Sequence, residues 1–156
     1  MFALYYMADS KMVDLGLLPD REAYKSQYYT YMMNGLLTQL VRIEPGACIE
    51  EAHMRNRALI ANWCVAKGDA VRLVGRGGKT FVEILDYDGL RALVAQLLAE
   101  VQRIKSEGDY EAARDLVETY AVKVDPEVHA EVLKRYAGLN IAPYKGFINP
   151  VLRPAR

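Results

Sequence analysis

AVRLVGRGGKTFVEIL, residues 70–85, decides the fold. Its middle, LVGRGGKT at 73–80, comes close to a phosphate-binding loop. That loop requires Gly at its first position, where this chain has Leu73, and it opens a helix whose N-terminal amides hold the anion. Here Thr80-Phe81-Val82-Glu83-Ile84 runs on with the character of a strand. Val71 and Leu73 are strand-like before the Gly75-Arg76-Gly77-Gly78 turn, as are Phe81 and Ile84 after it. The segment therefore reads as a β-hairpin over residues 70–86 with imperfect alternation.

Outward from the hairpin, everything else reads as helix. C-terminal to it, Leu90, Leu93, Val94, Leu97, Leu98, Val101 and Ile104 repeat at helical spacing, and Gly108 stops the run. Two shorter helices follow, over residues 110–120 and 126–137, the second with Asp125 as N-cap and Pro126 at the first position. N-terminal to the hairpin, residues 49–67 predict a helix ended by Gly68. Ile49, Ala52, His53, Asn56, Ile60, Trp63 and Cys64 share one face of it, with Arg57 at the edge. Before Pro45-Gly46 lies a tyrosine- and methionine-rich helix expected to reach Val41, with Asp20 able to cap it. There Tyr24, Tyr28 and Tyr31, and Met32 with Leu36, recur at the spacing that packs a helix on its neighbours. Residues 2–13 predict a short apolar helix. The last stretch, 139–156, holds three prolines and is expected to be extended. The fold class is mainly α: one bundle-like helical domain over 1–156 with a single β-hairpin, with no internal repeat and no low-complexity segment.

Composition narrows the function classes. The chain has 156 residues, 52% hydrophobic and 26% charged, which fits one globular domain with a real core. Twenty basic and twenty acidic side chains cancel, arguing against a nucleic-acid partner held by bulk charge. No apolar run approaches the ~20 residues that span a bilayer. The opening MFALYYMADSK lacks the basic region and cleavage site of a secretory signal. The expected location is the cytoplasm. Neither a diphosphohydrolase box nor a GxSxG elbow is present.

Two histidines, His53 and His129, lie far apart and form no HExxH-type pair, so no metal site is expected within these residues. Cys48, His53 and Cys64 match no zinc spacing; both cysteines stand among apolar residues and read as ordinary buried thiols. His129 reads as a surface residue on a late helix. His53 on an apolar helix face reads either as a satisfied core group or as part of a cleft wall. The second reading gains from AHMRNR at 52–57, since charged groups are seldom buried unless paired. A histidine there can donate to developing negative charge, and Arg57 one turn later can clamp a carboxylate or carbonyl. Lys145, between Tyr144 and Gly146, is either a solvated loop lysine or a substrate contact.

Three segments together, AHMRNR (52–57), SEGDYEAARDLVETYAVKVD (106–125) and LNIAPYKGFINP (139–150), resemble dipeptidyl peptidase III, the M49 family of zinc metallopeptidases, its bacterial members most closely. The resemblance runs in order along essentially the whole chain. It implies an enzyme that releases dipeptides from the free N-terminus of short peptides, with two lobes around a wide cleft and zinc in a mainly helical lobe. The family's zinc ligands sit in an HExxGH helix and a following EExRA segment, and neither motif is in this sequence. FALYYMADSKMVDLG (2–16) resembles the residues that follow EExRA. The chain is thus expected to be the C-terminal part of the enzyme, binding no zinc itself, inactive alone and prone to self-associate, with the N-terminal part of the parent as its partner. By the same resemblance His53 would stabilise the transition state at the scissile carbonyl, and Arg57 and Lys145 would contact substrate. A stand-alone helical protein-interaction module is the alternative, with the Tyr/Met-rich helix as its partner surface.

Overall fold

The computed structural model describes residues 1–139. They form seven α-helices, one 3-10 helix and a two-stranded hairpin, in the order α1 (Phe2–Met7), α2 (Lys11–Asp14), α3 (Tyr24–Leu36), the 3-10 helix (Thr38–Arg42), α4 (Ala52–Lys67), β1 (Val71–Arg76), β2 (Lys79–Ile84), α5 (Tyr87–Glu107), α6 (Tyr110–Tyr120) and α7 (Pro126–Ala137). The mainly helical class with one hairpin is what the sequence predicts. The expected extended tail falls, Leu139 apart, outside the described residues, and Lys145 with it.

The hairpin pairs Val71 with Ile84 through Arg76 with Lys79, antiparallel, across a two-residue Gly77-Gly78 turn. Both glycines have positive φ, 57° and 69°, which a turn of this hand requires at both central positions. Thr80 in β2 turns its backbone groups away from β1. Glu131 Oε2 accepts from Thr80 N at 2.9 Å, and Arg135 Nη1 donates to Thr80 O at 2.7 Å. Two side chains of α7 thus occupy an edge that would otherwise invite another strand.

Tyr28 and Met32 of α3, Ile60 and Cys64 of α4, Val71 of β1, and Leu90, Val94 and Leu97 of α5 form the centre of the core and are all but inaccessible to solvent. Burying each large apolar side chain is worth about 1.5–3 kcal/mol. α5 behaves as its periodicity dictates: Leu90, Leu93, Val94, Leu97 and Ile104 are buried, and Gly108 closes it in the left-handed conformation. Asp125 caps α7 by accepting from Glu127 N and Val128 N, with Pro126 in the first turn. α1 is tied to α5 by Arg91, whose Nε donates to Tyr5 O at 3.1 Å and whose guanidinium lies over the Tyr5 ring.

The structure corrects four local expectations. Residues 2–13 form two short helices, because Asp9 Oδ1 accepts from Lys11 N and starts a second turn. Asp20 accepts from Glu22 N and Ala23 N and so closes the turn before α3 but does not cap the helix, which starts at Tyr24 with no side-chain cap, ends at Leu36 and tightens into the 3-10 helix. The cause is Gln39: in a continuing helix its backbone N–H would bond Gly35 O, and its side-chain Nε2 does so instead at 3.0 Å. α4 begins at Ala52, not Ile49, since Ile49 N donates to Val122 O and Glu51 serves as cap. Last, the two cysteines differ: Cys64 is buried, but Cys48, in the loop before α4, is exposed.

Candidate functional site

The first two turns of α4 carry the polar residues singled out in AHMRNR. Glu51, at the N-cap, accepts from His53 N at 2.9 Å and Met54 N at 2.8 Å. Those donors, the His53 amide foremost, hold its carboxyl below the ordinary glutamate range, with the His53 and Arg57 side chains adding to the effect. His53 itself is exposed. It shares its azimuth with Ile60, seven residues on, yet Ile60 is fully buried. Sharing a helix face therefore does not make His53 a core group: the covering elements stop short of the helix's first turn. Ala52 and Asn56 are exposed as well, and the buried set of α4 is Met54, Ala58, Leu59, Ile60, Ala61 and Cys64. Of the face expected from the wheel, Ile60 and Cys64 pack in the core and Trp63 is half-buried.

Arg57 lies one turn beyond His53, half-buried, and its Nε donates to Gln39 Oε1 at 3.2 Å. Residues four apart on a helix are neighbours, so the imidazole and the guanidinium share one ridge. Beside them, Asn56 Nδ2 donates to the Tyr31 hydroxyl at 3.2 Å, linking α4 to α3. Burial raises the Tyr31 pKa, while the Arg57 charge and the Asn56 bond pull it the other way. Arg55 points elsewhere, its Nε donating to Ile49 O at 2.6 Å.

The ridge can thus present an imidazole N–H and a guanidinium to an oxygen carrying negative charge, as a carbonyl or carboxylate does. Among the described residues, recesses of 430 Å³ to 570 Å³ open at the hairpin, at the α4–α5–α6 groove, by α2 and α3, and between the hairpin tip and α7, and neither His53 nor Arg57 lines any of these four.

Among the described residues, no group of three or more His, Cys, Asp and Glu side chains is placed to hold a metal ion, so the residues present do not fit a zinc centre. Burial pushes the Cys64 thiol up to about 12, which keeps it protonated and un-nucleophilic. Among the described residues, no helix is long and apolar enough to cross a membrane.

His129 is the second correction of residue role. It is 4% exposed, on the inner face of α7, and its Nε2 lies 3.0 Å from Leu40 O and 3.1 Å from Ile43 O. Both partners are acceptors, so Nε2 carries the proton and donates to the carbonyl end of the 3-10 helix. Its signal was present in the sequence: Val128, His129 and Val132 form one helical stripe. Gln39 was missed too. It continues the stripe Tyr28, Met32, Gly35 and Leu36, and an amide in line with such a stripe marks a buried hydrogen-bonding group.

Compared with protein-family models and with curated proteins, the chain matches none.

Proposed function

We propose that this chain is the C-terminal segment of a zinc-dependent dipeptidyl peptidase, a two-lobed cytoplasmic enzyme that releases dipeptides from the N-terminus of short peptides. The observation that carries the reading is the exposed His53 beside an Arg57 held from below by a buried amide. A hydrogen-bond donor and a fixed cation on adjacent turns suit a carbonyl oxygen that gains negative charge as its carbon becomes tetrahedral. His53 then donates to that oxygen, and Arg57 binds a neighbouring carbonyl or carboxylate of the peptide. In the parent, the HExxGH and EExRA motifs that the resemblance implies upstream would hold the zinc, whose chemistry would be polarisation of the scissile carbonyl.

Reading the genomic sequence upstream of Met1 is the first test. In-frame HExxGH and EExRA motifs support the peptidase, and a stop codon with a ribosome site favours the interaction module. The second is activity. The purified 156 residues are expected to release no dipeptide from a chromogenic dipeptidyl substrate, with or without zinc, while the full-length chain does so in a zinc-dependent way. In that full-length enzyme, His53→Ala should lower kcat by about 10²- to 10³-fold, the usual cost of removing an oxyanion donor. Zinc content, measured by atomic absorption, should not change. Turnover by the segment alone, or loss of zinc on the substitution, overturns the reading.

A further inference from the structure

Gln39 is the most completely engaged buried polar side chain near the ridge. It is 4% exposed. Its Nε2 donates to Gly35 O at 3.0 Å and to Met54 O at 3.2 Å, and its Oε1 accepts from Arg57 Nε at 3.2 Å. Both amide hydrogens are used on backbone carbonyls, one in the last turn of α3 and one in the first turn of α4. The amide plane is therefore fixed by two helices, and its oxygen is fixed with it. An acceptor held this way cannot follow a moving partner, so the partner must come to it.

That partner is a planar guanidinium, and fixing its Nε fixes the plane of the whole group. Engaged through Nε, Arg57 keeps its two terminal amino groups for something else, and among the described residues neither has a hydrogen-bond partner. Without Gln39, the long side chain would sample many rotamers and lose that freedom only on binding. The amide sits on the 3-10 helix, which His129 in turn holds by its two carbonyls.

We infer that Gln39 is a positioning residue for substrate binding: it orients Arg57 in advance so that the terminal amino groups meet a carbonyl or carboxylate of the peptide. This rests on the reading above, in which Arg57 contacts substrate. Gln39 touches no substrate itself.

The test is a mutant cycle in the full-length peptidase. Gln39→Leu keeps the shape and removes both functions of the amide. Gln39→Glu keeps an acceptor for Arg57 and loses the donor to the backbone. Arg57→Ala and the double variant Gln39→Leu/Arg57→Ala complete the set. Gln39→Leu should lower kcat/KM about tenfold, the size of a lost hydrogen bond to a charged group, mainly through KM. In the Arg57→Ala background it should lower kcat/KM no further, because a residue acting only through Arg57 has nothing left to position. Gln39→Glu should fall between the wild type and Gln39→Leu, since it keeps a charged acceptor for Arg57 but loses the two donors that fix its orientation. Effects that multiply in the double variant, or a Gln39→Glu enzyme as impaired as Gln39→Leu, overturn the inference. Should Gln39→Leu not accumulate as folded, zinc-loaded enzyme, Gln39→Glu decides alone: retained activity supports the role and lost activity overturns it. A wild-type full-length chain without zinc-dependent dipeptide release overturns the underlying reading and the inference with it; an active wild type with multiplying effects overturns the inference alone.

Discussion

At the scale of single residues, the two histidines have opposite fates for reasons of position along a helix. His53 stands in the first turn of α4, which its neighbours leave uncovered, and is exposed. His129 stands in the first half of α7 where it faces the 3-10 helix, and it is buried with its Nε2 against Ile43 O and against Leu40 O, which also accepts from Ile43 N. Its contribution is structural. Replacing it with an apolar residue of similar bulk leaves Leu40 O and Ile43 O without that donor inside the protein. His129→Leu should therefore destabilise the chain by about 1–3 kcal/mol, the cost of stranding a buried polar group. Urea unfolding followed by circular dichroism measures it; a midpoint unchanged from wild type would show that the bonds are dispensable. The same argument explains why reading His129 as a surface residue failed. A histidine one position after Val128 and three before Val132 falls on the buried stripe of an otherwise polar helix, and only the packing partner decides which side of the boundary it occupies.

At the scale of elements, the crossing of α3 and α4 fixes where the ridge points. A Cβ added at Gly35 would lie 2.7 Å from Ala61 Cβ and 2.7 Å from Arg57 O. The two helices touch at backbone distance, directly under the residue whose guanidinium Gln39 holds. Gly35→Ala should force them apart and cost about 1–3 kcal/mol, as overpacking a tight core does, although alanine is the better helix former. Thermal unfolding of the variant tests this; unchanged or raised stability would mean that the crossing relaxes freely. The elements most legible in the sequence were those whose signals are local. α5 announced itself by its apolar period and Gly108, α7 by Asp125-Pro126, and the hairpin by its diglycine turn. Those misread depend on a side chain taking the place of backbone. Asp9 breaks the first helix by taking Lys11 N on its side chain, and Gln39 ends α3 by bonding Gly35 O with its amide. No period or propensity encodes that substitution; it exists only once Met54 O and Arg57 are in place.

At the scale of the whole molecule, the site was half legible: AHMRNR drew attention to His53 and Arg57, but the amide that holds Arg57 comes from 18 residues upstream and needs the tertiary crossing. The distribution of apolar surface bears on the same question. Leu15 and Leu17 are each 63% exposed, and Phe2 and Tyr6 of α1 are more than half exposed, all within the first 17 residues. Scattered apolar residues on a surface mean little, but several large ones in one short segment are a cost that a partner normally removes. In the proposed parent, that partner is the zinc-bearing part of the enzyme. Alone, the chain should then associate with itself through this segment. Sedimentation velocity over a range of concentrations should show dimers or larger species, and an apolar dye should fluoresce in its presence. The double variant Leu15→Glu/Leu17→Glu should shift the distribution toward monomer and dim the dye, with the helical circular-dichroism signal unchanged, because neither side chain belongs to the core. A wild-type chain that sediments as a clean monomer at all concentrations and binds no dye would mean that this surface needs no cover, and would weigh against its being one part of a larger enzyme.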